Sequence, residues 1–312
     1  MTTTLSPLPM ILDEVEVVSV ERLSTSFVRV ELGGPALADF GIDGPVYDQR
    51  IKLVLPGDSG TVPLFVGDES WYATWLDQPA EERGHMRTYT IREVRGSGLD
   101  TRLVVDVVLH LAEGATGPGS RWAAAARPGD RLVLLAPRRG VPFGGIEFVP
   151  GPARHLLLVG DETAVPAISS ILECLPEGAR GAAYLEVPHA DDVLDVDGPL
   201  GVEVVWLPRE GAPVGELLHA AVVSHLGVPA PVPATDVEVD PDLWETPTYS
   251  SSGEPLTGRG VAAGPHPDLY AWIAGESGVV TRLRRHLVRD LGIDRRQVAF
   301  MGYWRRGVAM RS

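Results

Sequence analysis

The chain of 312 residues contains one cysteine, Cys174, and one lysine, Lys52. A lone cysteine excludes a disulfide framework, a thiolate zinc site and an iron–sulfur cluster, each of which needs several sulfur ligands. Cys174 sits among Ala, Ile and Leu at helical spacing, where a thiol packs as a small apolar group. No apolar run approaches the roughly 20 residues that a membrane helix requires, which argues against membrane insertion. The first ten residues are rich in Thr and Pro and lack the basic, apolar and small-residue sections of a secretion signal, so a cytoplasmic location is predicted. No two of the eight histidines stand at the spacing of paired metal ligands on one helix face. The closest pair, His219 and His225, is too far apart for that, and no protein metal site is expected.

Basic charge is also scarce. Lys and Arg number 27 against 42 Asp and Glu, a formal charge of −15. Neutralising nucleic-acid phosphates requires a basic face, so nucleic acid is not an expected partner. With Lys52 as the only lysine, the other basic side chains are arginine or histidine. Together with the Ala, Gly, Pro and Val content, this suggests a coding bias against lysine. A lysine retained under such bias is a functional candidate, alongside its ordinary reading as a surface side chain with a snorkelling stem.

The length predicts two domains, each able to bury its own core. Residues 1–10 read as a flexible tail. Residues 11–150 carry six β-branched or aromatic runs of strand length between Gly/Pro/Asp turns: Val15–Val20, Phe27–Leu32, Arg50–Leu55, Met86–Val94, Arg102–Leu109 and Asp130–Ala136. With one short helix at Ser120–Ala126, they predict a six-stranded antiparallel β-barrel. Trp71 and Trp75 fall in an acidic connection ending near Arg83. Beyond Pro150 to Pro152 the pattern changes to strands alternating with helices, which predicts a doubly wound parallel α/β domain over 151–312. Its strands are His155–Val159, Gly181–Val187, Val202–Leu207, Leu269–Ala274 and Gln297–Tyr303. Its helices are Thr163–Leu175, Val214–Leu226 and Gly278–Leu291. A Pro/Ser/Gly-rich insertion at 228–267 interrupts it and suits a lid or an arm.

The segment Arg87-Thr88-Tyr89-Thr90-Ile91-Arg92 carries the most chemistry. On a strand, Arg87, Tyr89 and Ile91 share one face and Thr90 the other. The arginine suits a pyrophosphate, the tyrosine the plane of a flavin, and the threonine hydroxyl and amide the ring nitrogen that receives hydride. A half-buried edge strand without a ligand explains the same residues. Gly117-Pro118-Gly119-Ser120 leads into a helix, so amides and a hydroxyl there suit an anion, or Ser120 serves as an N-cap.

Five segments occur in an order and spacing that resemble the siderophore-interacting proteins, FAD-dependent ferric-siderophore reductases of the ferredoxin-reductase-like superfamily. They are Arg87-x-Tyr89-Thr90, Gly117-Pro118-Gly119-Ser120-x-Trp122-Ala123, Gly160-Asp161-Glu162-Thr163-Ala164-Val165-Pro166-Ala167, Gly275-Glu276 and Gly302-Tyr303-Trp304-Arg305-Arg306-Gly307. The resemblance implies that Thr90 is the catalytic residue, orienting the flavin. It implies FAD contacts at Arg87, Thr88, Tyr89, Thr90, Ile91, His110, Gly117, Gly119, Ser120 and Trp122. It places NADPH or NADH at Asp161, Thr163, Ala164, Glu186 and Glu276, with Trp304 approaching the flavin. Gly160 to Thr163 lacks the usual Gly-x-Gly-x-x-Gly, and its acids either cap amides or face the nicotinamide. Glu186 resembles a ribose-binding acid, and Arg209 suits either a ribose phosphate or solvent. Lys52, Arg138, Arg139, Arg305 and Arg306 are the expected basic contacts to a ferric siderophore, which brings all the iron ligands itself. A monomer is expected. The alternatives are a general diaphorase, an electron-carrier reductase and a non-catalytic siderophore-binding protein.

Overall fold

A computed structural model of the chain describes residues 8–57, 60–65, 67–110, 116–227, 244–245 and 266–307. The chain divides between Ile146 and Glu147 into two compact units. The first carries an antiparallel curled sheet made of β1 (Met10–Arg22), β2 (Phe27–Gly33), β3 (Arg50–Leu55), β4 (His85–Thr90), β5 (Glu93–Arg95), β6 (Arg102–Val108) and β7 (Arg131–Pro137). Their order is β4-β3-β7-β1-β2-β6-β5. Strand alternation sorts the side chains by face. Ile51, Leu53, Leu55, Leu132, Leu134 and Ala136 join Val15, Val28 and Val105 in the interior core. Val54, Val133 and Leu135 face outward and are covered by Trp75 of α1 (Trp71–Leu76), with Phe65 and Trp71 against them.

The sheet has seven strands rather than six because the run Met86–Val94 is two strands. Its halves, β4 and β5, lie at opposite ends of the strand order. The Ile91 N–H donates to Gln49 O at 2.9 Å, and the next amide, Arg92 N–H, donates to Val104 O at 2.8 Å. Two successive residues therefore bond to the two ends of the sheet, which curls it and leaves little open edge. The strand pattern also reaches into the expected tail: Met10 already pairs with Pro137, and Leu8 is buried. The helix expected at Ser120–Ala126 begins earlier, as α2 (Pro118–Ala125), with Pro118 at the position where its missing N–H costs nothing.

The second unit is built on β8 (His155–Gly160), β9 (Gly181–Val187), β10 (Val202–Pro208), β12 (Leu269–Glu276) and β13 (Val298–Trp304), all parallel. A two-residue strand, β11 (Trp244–Glu245), adds antiparallel to β13. The order β10-β9-β8-β12-β13-β11 reverses direction between β8 and β12. Helices α3 (Val165–Cys174), α4 (Glu216–His225) and α5 (Ser277–Arg284) connect the strands, and α5 runs on into a π-turn segment at Arg285–Asp290. Leu157 and Val159 share a core with Leu218 and Val222 of α4 and Val280 and Leu283 of α5. Gly160 lies on the opposite face, where an added Cβ would stand 3.1 Å from Ile168 of α3. The sheet is thus covered on both faces, which is why its strands read as nearly continuous apolar runs. Apart from β11 and residues 266–267, the insertion at 228–267 lies outside the described residues. No helix among the described residues is long and apolar enough to cross a membrane.

Candidate functional site

In the first unit, β4 aligns Arg87 with Leu53 and Tyr89 with Ile51, so both take the interior side, and Thr88 and Thr90 take the outer side opposite Lys52 and Arg50. Ile91 is fully buried. Tyr89 packs against the barrel core, and its hydroxyl rests on Gly119, where an added Cβ would collide with Tyr89 Oη. Burial pushes the Tyr89 phenol up to about 12, with Arg87 opposing the shift, so it stays a neutral donor. Burial also lowers the Arg87 guanidinium, whose Nη1 donates to Met86 O at 2.7 Å.

The start of α2 stands beside this strand. Its N-cap is Gly117, which supplies no side-chain bond. Ser120 is not the cap. Its hydroxyl accepts from His110 N at 3.0 Å and donates to Val108 O at 3.1 Å, tying the end of β6 to the helix. Trp122 packs on the barrel core. Among the described residues no side chain caps this helix N-terminus, a place where an anion is favoured.

On the outer face, Lys52 Nζ donates to Thr88 Oγ1 at 3.0 Å. Surrounding protein first, then Arg50, holds its ammonium below the ordinary lysine value. Arg138 and Arg139 are committed elsewhere. Arg138 pairs with Asp39 at 2.6 Å and donates to Met10 O at 3.2 Å, while Arg139 donates to Ala38 O at 3.3 Å and Phe40 O at 3.0 Å. Both tie the turn after β7 to the segment around Pro35–Asp39, Arg138 half-buried there and Arg139 still exposed.

In the second unit, the carboxyl ends of β8 and β12 meet at the reversal of strand order, where open α/β sheets take ligands. Asp161, just beyond β8, is the hub. Its Oδ1 accepts from Thr163 N at 2.9 Å and Thr163 Oγ1 at 2.6 Å. Its Oδ2 accepts from Glu276 N at 2.7 Å and from the Trp304 indole at 2.8 Å. Gly275 has φ +143°, and a Cβ there would stand 2.6 Å from Asp161 Oδ2, so glycine is what lets the carboxylate in. Burial, then Glu162, pushes Asp161 up to about 7. Ala164 N donates to Asp161 O at 2.9 Å. Ser277 Oγ donates to Trp304 O at 3.0 Å. Glu276 caps α5 by accepting from Val279 N at 3.0 Å and also accepts from Arg306 N at 3.2 Å. Arg305 follows Trp304 and is half-buried, while Arg306 is exposed.

Glu186 and Arg209 depart from their expected roles. Glu186 is fully buried and accepts from Gly215 N at 2.7 Å and Leu218 N at 3.3 Å, capping α4 instead of offering itself to a ribose. Arg209 is neither solvated nor open to a ribose phosphate. It forks onto Glu162 at 2.6 and 3.0 Å and reaches Glu186 at 3.3 Å, with 9% of its side chain exposed. A buried carboxylate needs such a partner, and a bidentate guanidinium supplies it. In sequence Glu162 and Arg209 stand 47 residues apart with no local pattern joining them. Only the spacing of one acid after β8 and one arginine after β10 hinted at their pairing.

The residues of the first unit fit a flavin dinucleotide. A helix start without a side-chain cap, a glycine at its closest approach to an aromatic ring and an arginine two residues from that ring on the same strand suit a pyrophosphate and its ring system. The second unit has the topology of a nicotinamide site, but the starts of α4 and α5 are already capped by Glu186 and Glu276.

Two families match the chain. The siderophore-interacting FAD-binding domain matches residues 16–141, and the siderophore-interacting protein family matches residues 153–307. A protein named NADPH-dependent ferric-chelate reductase, from Escherichia coli K12, is 36% identical over 300 residues, covering 93% of this chain and 92% of that one. Ferric vibriobactin reductase of Vibrio cholerae is 28% identical over 288 residues, covering 91% of this chain and 86% of its own. The crystal structure of a siderophore utilization protein from T. fusca aligns with a TM-score of 0.67 at 30% identity, covering 98% of this chain and 97% of the other.

Proposed function

Because the chain belongs to the siderophore-interacting protein family, we propose that it is a flavin-dependent oxidoreductase that uses NAD(P)H to reduce ferric siderophores. The names of its relatives, a ferric-chelate reductase and a ferric vibriobactin reductase, support that substrate class. The observation that carries the reading is the close approach of Tyr89 to Gly119, which brings the strand motif and the helix start together. FAD, when bound, would supply the chemistry of accepting a hydride from a nicotinamide and releasing single electrons to ferric iron.

The chain's own residues bind and orient. Arg87 holds the pyrophosphate by charge-assisted bonds, with the first-turn amides of α2. Thr90 orients the ring nitrogen, and Tyr89 presents a neutral ring face. In the second unit, Asp161 fixes Thr163, Glu276 and Trp304 at the nicotinamide end of the sheet. No residue is required to be a strong acid or base. Ferrous ion is held less tightly than ferric by hard oxygen ligands, so reduction loosens the chelate, and the siderophore brings those ligands itself. In the first unit, Lys52 attracts an anionic ferric chelate to a protein that otherwise repels it. The assignment of residues 11–150 to FAD and 151–312 to the nicotinamide belongs to this reading. So do a cytoplasmic, monomeric protein and the absence of nucleic-acid partners.

The test is spectroscopic. Purified protein is expected to be yellow, to bleach anaerobically with NAD(P)H, and to regain its colour on addition of a ferric siderophore while a ferrous-specific chelator takes up the iron. Failure to retain or take up FAD would sink the reading. Bleaching followed by reoxidation only by electron-carrier proteins would favour a carrier reductase.

A further inference from the structure

The connection from β9 to β10, residues 188–201, contains four aspartates, Asp191, Asp192, Asp195 and Asp197, and no lysine or arginine. The turn after β10 contains Arg209 and Glu210. In an α/β dinucleotide fold, the ends of these strands face the adenosine ribose, and a 2′-phosphate there needs an available cation or available amides. Here Arg209 is locked in the buried fork with Glu162 and Glu186. Two amides of the β9 turn are held by carboxylates: His189 N donates to Asp192 Oδ2 at 3.1 Å, and Ala190 N donates to Glu210 Oε1 at 2.7 Å. The starts of α4 and α5 are capped by Glu186 and Glu276, and Asp161 holds the amide leading to α3. At α4 and α5 the helix dipoles that would draw a further phosphate are therefore already met by negative charge.

Given that the second unit takes a nicotinamide dinucleotide, as proposed above, we infer that this chain selects NADH over NADPH, with Asp191 and Glu210 excluding the 2′-phosphate. Both side chains are exposed at this edge, where a dianion would meet carboxylates, and the one arginine of the two connections, Arg209, is enclosed. Selection then works by repulsion of the extra phosphate and not by a dedicated ribose acid, since Glu186 is enclosed. This differs from what the name of the 36%-identical E. coli relative states for that protein.

The experiment is anaerobic rapid mixing of the FAD-loaded protein with each nucleotide, reading the second-order rate of flavin bleaching, together with competition by adenosine 2′,5′-diphosphate. NADH is expected to exceed NADPH by tenfold or more, and the diphosphate to compete poorly. In the double variant Asp191→Asn with Glu210→Gln, the glutamine keeps the carbonyl oxygen that caps Ala190. The NADH/NADPH ratio is expected to narrow about three- to tenfold, with the change largest at low salt. Equal use of the two nucleotides, preference for NADPH, or a ratio unchanged in the double variant would overturn the inference. Bleaching by neither nucleotide in FAD-loaded protein would overturn the proposed function, and this selection with it.

Discussion

Tyr89 Oη lies against Gly119 so closely that a single added methyl would displace it. Residues thirty apart in sequence, one on an edge strand and one in the first turn of a helix, thus form a single surface. Gly119→Ala is expected to push the ring aside, costing about 1–3 kcal/mol of stability, as overpacking does, and to lower FAD retention. Adding Tyr89→Phe removes the colliding oxygen, so the double variant should recover most of the stability. Urea melts and FAD content on the four proteins of that cycle measure the coupling.

Arg87→Ala removes the guanidinium proposed for the pyrophosphate. A hydrogen bond to a charged group is typically worth about 1.5–3 kcal/mol, roughly one to two decades of affinity. The dissociation constant of FAD, measured on folded apoprotein, should rise by that factor. An unchanged constant would move the pyrophosphate elsewhere.

Asp161 predicts a pH dependence. Its folded value is raised from the ordinary 3.8 to about 7, by burial first and Glu162 second. For a raised carboxyl group the contribution to stability is fully present below 3.8 and is lost as pH rises through about 7. The slope over that window is at most about 1.4 kcal/mol per pH unit. Yet four donors converge on its two oxygens, an arrangement that only the carboxylate accepts in full. As pH rises through this range, the Trp304 indole proton should move downfield as its bond to Oδ2 strengthens. Nuclear magnetic resonance on indole-labelled protein, with Trp304→Phe to assign the signal, follows that movement. An indole signal that does not titrate would rule out the linkage.

The fold was legible wherever local pattern and tertiary role agree. Gly181–Val187 is the same strand in both readings because a parallel strand buried on both faces is a continuous apolar run. The break at Ile91–Arg92 was hidden because apolar and polar residues alternate through it, and only the curl of the sheet decides where pairing changes sides. The role of Glu186 is hidden in the sequence because an acid after a parallel strand serves a ribose or a helix cap equally well. Gly215 and Leu218, which settle its role, lie 29 and 32 residues away. The hub at Asp161 draws donors from 115 and 143 residues downstream, beyond any local signal.

Lys52 faces outward on β3 with its ammonium on Thr88 Oγ1. Lys52→Ala is expected to raise KM for a ferric catecholate several-fold, more steeply at low salt, since the lost attraction is screened. Single-turnover bleaching by nicotinamide should change far less than reoxidation by the chelate. If both half-reactions fall together, Lys52 supports the fold and does not meet the substrate.

Arg209 separates a structural cation from a ligand-binding one. It is the counter-ion to both Glu162 and Glu186, whose side chains are 2% and 0% exposed. Arg209→Met leaves two buried carboxylates without it, and breaking a buried pair costs about 3–5 kcal/mol. Denaturant melts should show that loss, and Glu162→Gln in the same chain should restore part of it by removing one charge. Because the guanidinium is enclosed and forked onto Glu162 and Glu186, competition by adenosine 2′,5′-diphosphate should be no weaker in the folded variant than in the wild type. A variant as stable as the wild type that had lost affinity for the 2′-phosphate would make Arg209 a phosphate ligand, and the buried fork would then have to open to receive it.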